Sequence, residues 1–553
     1  MMFRRRYVPI LLAVLAGAAC DDDPTAPSLE PPSTVTASAA TPTSVTVTFA
    51  TVAGADSYVI ERATGQAGSG LTYAQVATST ATTYTDATVQ PETTYQYRVA
   101  AVSGSRQSAF SAAAGVTTPQ AGPKVATISS DITSDRTLFA DTTYTISGFV
   151  HVPAGVTLTV QPGTTILGDY DTLGSSLFVL RGGRIDACGT AAAPIVFTSS
   201  RPAGQRQPGD WGGLVLVGNA TINRGADTEL EGSSPQTGGV IVYGGGTDDA
   251  DSSGELCYVR VEFAGYAISP DNELNAFTFA AVGSGTKLEY LQAMSGLDDH
   301  FEWFGGTVDG KYLVSYESGD DHFDASEGYR GRVQFMIAYQ SKVLSPRTGA
   351  GSVSGDPQGI ENDGCAGANC LDGQDSQPYT APLWANFTLI GTGPGFVDAT
   401  SGGHGMVIRR GTAGYYVNGV VARWPKSALS VRDATTTARV TAGEMLVANV
   451  LGVENGSLLH AGQQAYDTTT NSVVSAAGPA ASLFNLLPTD PGSATQFDWT
   501  PAATAPQRTG GMTSFPANIA AKAGTFITPT AYRGAADPAG PKWWEGWTVY
   551  ADN

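Results

Sequence analysis

The chain has 553 residues, 42% of them hydrophobic, and a formal net charge of −20. That length supports more than one hydrophobic core. The charge excludes binding to nucleic acid or any other polyanion, except through a local basic patch or a bridging cation, while the 67 glycines and the wealth of Thr, Ser, Val and Ala point to a β-rich exported protein.

Arg4, Arg5 and Arg6 precede an apolar run from Tyr7 to Ala19 that is too short to span a bilayer comfortably. This pattern reads as an export signal over residues 1–19. The run closes on LAGAAC, and Asp21, Asp22 and Asp23 follow Cys20. The ending resembles the lipobox of bacterial lipoproteins, with Gly17 standing where an aliphatic residue is usual. The resemblance implies that Cys20 is diacylated and ties the protein to a membrane, at the bacterial outer membrane or cell surface. An ordinary cleaved signal peptide is the alternative. No later apolar run is long enough for a membrane helix. With Cys20 lipidated, four cysteines remain, an even number for an oxidising compartment. Cys365 and Cys370, in CAGANC, are close enough for a small looped disulfide. Cys188 and Cys257 are open between a second disulfide and two buried thiols.

Residues 20–30 form a polar tether, and residues 31–119 read as short alternating strands, SVTVTFATV, DSYVIERAT and TTYQYRVAAVSG. YVIER and PETTYQYRVAAV resemble the fibronectin type III domain. The resemblance implies a β-sandwich with a tyrosine corner at Tyr95 and Phe49 in place of a common Trp. Its implied job is that of a spacer. Residues 120–131 form a linker.

From residue 132 to 540 the pattern becomes many β-branched runs bounded by Gly turns, with no helical stretch long enough to supply crossovers. YTISGFVHVPAGVTLTVQPGTTILGD resembles the first coils of right-handed parallel β-helices. GDWGGLVLVGNATIN, YGGGTDDADSSGELCYVRVEFAGYAI and the Asp-rich coils through RVQF resemble an uncharacterised family of exported bacterial β-helix, pectin-lyase-like surface proteins. The implied fold class is all-β, a sandwich followed by a solenoid. Asn386, Asn418 and Asn449 recur at spacings suited to stacked rungs and read as a structural amide ladder. The aromatic end 541–553, with Trp543, Trp544, Trp547 and Tyr550, reads as a cap on the last coil; a sugar-stacking platform is the rival reading.

One repeat concentrates chemistry. DDHFEWFGG begins at Asp298, and DDHFDASEG begins 22 residues later at Asp320. A 22-residue period suits one coil of a β-helix. Alternation puts Asp298, His300 and Glu302 on one face, with Phe301 and Trp303 inward, and likewise Asp320, His322 and Asp324 with Phe323 inward. Rungs in register stack the two sets about 4.8 Å apart. Like charges about 5 Å apart repel by roughly 3 kcal/mol at an effective dielectric of 20. A bound cation, a retained proton or separate solvation by backbone amides relieves that repulsion. Ca²⁺ suits the oxygen donors, and the two imidazoles leave room for a transition metal. The same acids also suit ordinary β-turns, where Asp accepts its own backbone N–H.

Resemblance to pectin lyases and polygalacturonases implies a different chemistry, with acids from the pairs Asp298–Asp299 and Asp320–Asp321 (Asp299 and Asp321 foremost), His404 in GGHG, and Arg409, with Arg410 or Arg432 as alternatives, as proton acceptor. Here 83 residues separate Asp321 from His404, three to four coils at that period, and the hydrolases' Asn-Thr-Asp element is absent. The favoured function is a lipid-anchored surface protein that binds a glycan or another surface protein. The alternative is a polysaccharide lyase or glycoside hydrolase acting on an acidic glycan.

Overall fold

The computed structural model describes residues 28–550, apart from residues 69, 121–124, 236–237, 270–271, 356, 368, 394–402, 462–465, 467–472 and 489–496. The export signal, Cys20 and most of the tether lie outside the described residues. The chain divides after Ala121 into two compact units. Among the described residues no helix is long and apolar enough to cross a membrane.

The first unit is a sandwich of a three-stranded sheet and a five-stranded sheet. Alternation in Ser57–Thr64 and Thr94–Ser103 sends Tyr58, Ile60, Tyr95, Tyr97 and Val99 into one core with Val45, Val47 and Phe49. Tyr95 forms the corner that the sequence indicates: its hydroxyl oxygen accepts the Gln90 N–H at 2.8 Å. Asp86 is buried, and it accepts from Tyr97 (2.9 Å) and Arg62 (2.7 Å), which satisfies a carboxylate that burial alone would penalise.

The second unit is a parallel β-helix. Its rungs pair into one sheet of seventeen strands and another of nine. The 22-residue period is literal where rungs are bare: Arg136 pairs with Leu158, Lys287 with Asp309, and Phe301 with Phe323. Elsewhere insertions lengthen the rung, so that Asp324 pairs with Glu361 and Val333 with Trp384. Inward side chains fill the lumen. Phe277, Phe301 and Phe323 stack at centroid spacings of 5.0 and 5.4 Å, with Phe279 on Trp303 beside them at 5.7 Å. Such stacked pairs contribute about 0.5–1.5 kcal/mol each beyond their buried area.

The corners explain the asparagines. Asn386, Asn418 and Asn449 occupy one corner of successive rungs with φ near +60°, a conformation that Asn tolerates better than most residues. Their amides grip the C-terminal segment, where the sequence suggested a mutual ladder. Asn386 donates to Thr530 Oγ1 (2.8 Å), Asn418 accepts from the Met512 N–H (2.7 Å), and Asn449 donates to the Gly510 carbonyl (2.7 Å).

That segment corrects the expected cap. Trp544, Trp547 and Tyr550 are buried against Phe263, Met294, Tyr316, Tyr339, Ile390 and Val453, a stripe along the outer flank of many rungs. Trp547 meets Tyr258 and Tyr290 edge-on, and the Gln292 side chain brackets the Val549 backbone at both N–H (2.9 Å) and C=O (2.6 Å). The reason is area: an apolar stripe running the length of a sheet exposes more surface than one open end, and burial scales with area. Trp547→Ala is therefore expected to cost about 3–5 kcal/mol in urea unfolding, with increased binding of an apolar dye to the uncovered flank.

Candidate functional site

The site lies on the outer face of the nine-stranded sheet. Strands Phe301–Phe304, Phe323–Ser326, Ile360–Asp363 and Met406–Arg409 run parallel and in register. Register alone puts Glu302, Asp324 and Glu361 in one outward column. A second column, two residues along, brings Asp363 beside Arg409. Corner residues Asp298, Asp299, Asp320 and Asp321 border these columns, and inserted loops contribute Arg224, Glu231 and Glu273. The resulting cleft has a volume of about 400 Å³ and is lined by eleven carboxylates and three guanidiniums.

The acids divide by partner. Glu361 and Asp363 are ion-paired to Arg409, Asp363 also to Arg410, and Glu327 to Arg224. Asp299 and Asp321 each accept the backbone N–H of the next rung, from Asp321 (2.8 Å) and from Gln358, so they tie successive rungs together and do not cap their own turns through these bonds. Asp324 Oδ1 is shielded from solvent and has no hydrogen-bond partner among the described residues. Three triads bring ligand oxygens within 4.8 Å of one another: Asp298, Asp299 and Asp320; Asp299, Glu302 and Asp324; and Asp321, Asp324 and Glu361.

Crowding in a buried setting pushes the acids toward their neutral forms. Asp298 is held well above the usual carboxylate range, by burial first and by the Asp320 charge second. Asp299, Glu302, Asp321 and Asp324 are raised for the same primary reason, with carboxylate neighbours adding to it. Burial lifts Glu231 to about 8 and Glu361 to about 7.

The histidines lie elsewhere. His300 and His322 are fully buried in the lumen, on either side of Ser315. The Gly296 N–H donates to His300 Nε2 at 2.9 Å. His300 Nδ1 must then carry the proton and donate to Ser315 Oγ (2.7 Å), whose hydroxyl donates to His322 Nδ1. Burial lowers the pKa of both rings, His322 to about 3. Alternation failed here because the strand begins at Phe301; residue 300 belongs to the corner, where two successive side chains turn inward. His300 and His322 are therefore not aligned with the acids as metal ligands, and the imidazole rationale for a transition metal falls with them.

The alternative catalytic set does not assemble either. Asp299, Asp321 and Arg409 share the cleft, but His404 is buried in the lumen with Nδ1 on Ser427 Oγ at 2.7 Å. Burial, ahead of the nearby Arg432 charge, lowers its pKa to about 3. His404 stands two rungs from Asp321, through Gln358, because insertions lengthen the intervening rungs beyond the basic period. Burial opposes the charge on Arg409, but Asp363 and Glu361 outweigh it and hold the guanidinium above its ordinary pKa, which is unsuited to accepting a proton.

Cys365 and Cys370 form a disulfide in the loop that walls the cleft, and Cys188 and Cys257 form a second one between paired rungs. Glu361, Asp363, Glu231 and Glu273 were not singled out by sequence reasoning. A rung of unknown length hid the first two and inserted loops the others. The motif IEND, matching the strand position of FDAS, was the available signal for Glu361.

Fold and site together define a parallel β-helix protein with an acidic cleft on its outer face. The pectate-lyase like beta helix domain matches residues 130–484, and the fibronectin type III domain matches residues 30–117. The chain belongs to the pectate-lyase-like β-helix family. No curated protein matches it. Among solved structures, a Fn3-like protein from Clostridium thermocellum is similar at 30% identity over 18% of this chain and 100% of that chain, with a TM-score of 0.16. FN3tt is similar at 20% identity over 17% and 100%, also with a TM-score of 0.16. A structure of the titin kinase and its flanking domains is similar at 25% identity over 17% of this chain and 18% of that chain, again with a TM-score of 0.16.

The raised acids set a pH dependence. Glu361 and Glu231 move from 4.5 in the unfolded chain to about 7 and about 8 in the fold. The folded state therefore binds more protons across that window, and stability present at the acid end is lost as pH climbs through the folded values. With chelator present, the melting temperature is expected to fall between about pH 5 and pH 8.5. A flat or rising profile in calorimetry contradicts the assignment.

Proposed function

We propose that the protein is an exported, lipid-anchored surface protein that holds a divalent cation in this cleft and binds a glycan or a surface protein through it. The observation that supports the cation is the set of carboxylate triads meeting within 4.8 Å, which matches the span of oxygens around one Ca²⁺ with bonds of about 2.4 Å. The donors are all oxygen, which favours Ca²⁺, Mg²⁺ or Mn²⁺ over softer metals. A cation offsets the burial and the mutual repulsion that favour the neutral carboxyls, so its uptake releases protons. The lipid anchor rests on Cys20 and the sequence around it.

Millimolar Ca²⁺ is expected to raise the melting temperature at pH 8 by several degrees, and chelation to reverse the shift. In the Glu302→Ala, Asp324→Ala double variant the Ca²⁺ response should vanish. Identical melting of the wild-type protein in Ca²⁺ and in chelator contradicts the cation reading.

A second reading, lysis or hydrolysis of an acidic polysaccharide, draws on one observation: Asp299, Asp321 and Arg409 line the same cleft. It requires a base other than Arg409, given the ion pairs that guanidinium makes. A panel of acidic polysaccharides assayed for unsaturated products and new reducing ends tests it, with Asp321→Asn expected to abolish any turnover seen.

A further inference from the structure

The Cys365–Cys370 disulfide joins a buried part of the cleft wall to an exposed one. Its inner half belongs to the sheet. Cys365 is 2% exposed and comes just after the strand Ile360–Asp363. The Cys365 N–H donates to the Arg410 carbonyl (3.2 Å), and the Gly364 N–H donates to the Arg409 carbonyl (3.2 Å). Its outer half belongs to the surface: Cys370 is half-buried, and Asn369 and Leu371 on either side of it are exposed.

Cys370 in turn touches the insertion that carries Arg224. Arg224 and Cys370 form an antiparallel bridge, and the Gly225 N–H donates to the Asn369 carbonyl at 3.2 Å. Arg224 lines the cleft and pairs with Glu327 (Nε to Oε1, 2.6 Å), which also accepts from the Tyr243 hydroxyl. A continuous path thus runs from the sheet through Cys365, Cys370 and Arg224 to Glu327. A disulfide removes conformational freedom that two thiols keep, whereas one backbone hydrogen bond contributes little net stability. The other disulfide differs. Cys188 and Cys257 face each other in a parallel ladder, which holds them together with or without the bond.

We propose that the Cys365–Cys370 disulfide is a redox latch on the cleft: its reduction lets the chain around Cys370 lift from Arg224 and releases that guanidinium from Glu327. The reductant is a dithiol. One of its thiolates attacks the sulfur of Cys370, the less buried of the pair, and expels the Cys365 thiolate, which takes up a proton. The second thiolate of the reductant then attacks its own sulfur in the mixed disulfide and expels the Cys370 thiolate, which is protonated in turn. Two electrons and two protons pass to the protein, and the dithiol leaves as a disulfide. The latch operates whether or not the cleft holds a cation.

Two routes open it in the full-length protein: dithiothreitol on the wild type, and the Cys365→Ser, Cys370→Ser double variant. Hydrogen exchange of the reduced wild type should show the Gly225 amide exchanging about fivefold faster, the factor that one lost backbone hydrogen bond corresponds to. Reoxidation should restore its protection. The Leu214 amide, bonded to the Ala276 carbonyl within the ladder, should not change. In the double variant, Arg224 should react severalfold faster with phenylglyoxal, read by peptide mass spectrometry. Circular dichroism checks that the variant folds; if it does not, the same labelling of reduced wild-type protein, after the reductant is removed, takes its place. Arg224 labelling that stays at the oxidised wild-type rate overturns the latch, even if the loop itself loosens, because the effect then stops at the disulfide. A Cys365–Cys370 bond that dithiothreitol cannot reduce in the folded protein overturns it as well.

Discussion

The in-register parallel pairing of Phe301–Phe304 with Phe323–Ser326 is the constraint on which the site depends. Parallel rungs put each residue on top of its counterpart, so a sequence that repeats an acid at one rung spacing must stack that acid on itself. The lumen enforces the register. Phe301 on Phe323 and Phe279 on Trp303 are buried completely, and a slip of one residue would drive them outward and the acids inward. The aromatic stacks thus hold in place an electrostatic arrangement that is unfavourable by itself.

That arrangement is what makes the cleft a site rather than a polar surface. Each arginine at its edge is ion-paired to a carboxylate, and around Asp324 the charge of Arg409 is outweighed by burial and by the neighbouring acids. Burial, with the neighbouring carboxylates added, shifts these acids toward their neutral forms. Stability of the empty fold and affinity for a cation are consequently opposed through pH.

Much of this could be read from residues alone. The 22-residue repeat gave the register of the two Asp-rich coils, and Tyr95 and the alternating strands around it gave the first unit. Three things were hidden for definite reasons. The rungs after Asp324 and Val333 carry long insertions, so Glu361, Asp363 and the arginines could not be counted into place. The histidines sit at a corner, where strand alternation does not hold, and they turn into the lumen. The C-terminal aromatics follow a flank stripe whose members recur from rung to rung, a periodicity visible only when the rung lengths are known.

Crystals soaked in Mn²⁺, with anomalous diffraction data collected near the manganese edge, test the central claim most directly. Anomalous density is expected between Glu302, Asp324 and Glu361, within about 2.5 Å of the carboxylate oxygens. A cleft with no anomalous signal, its carboxyls bonded only to one another and to water, would contradict it.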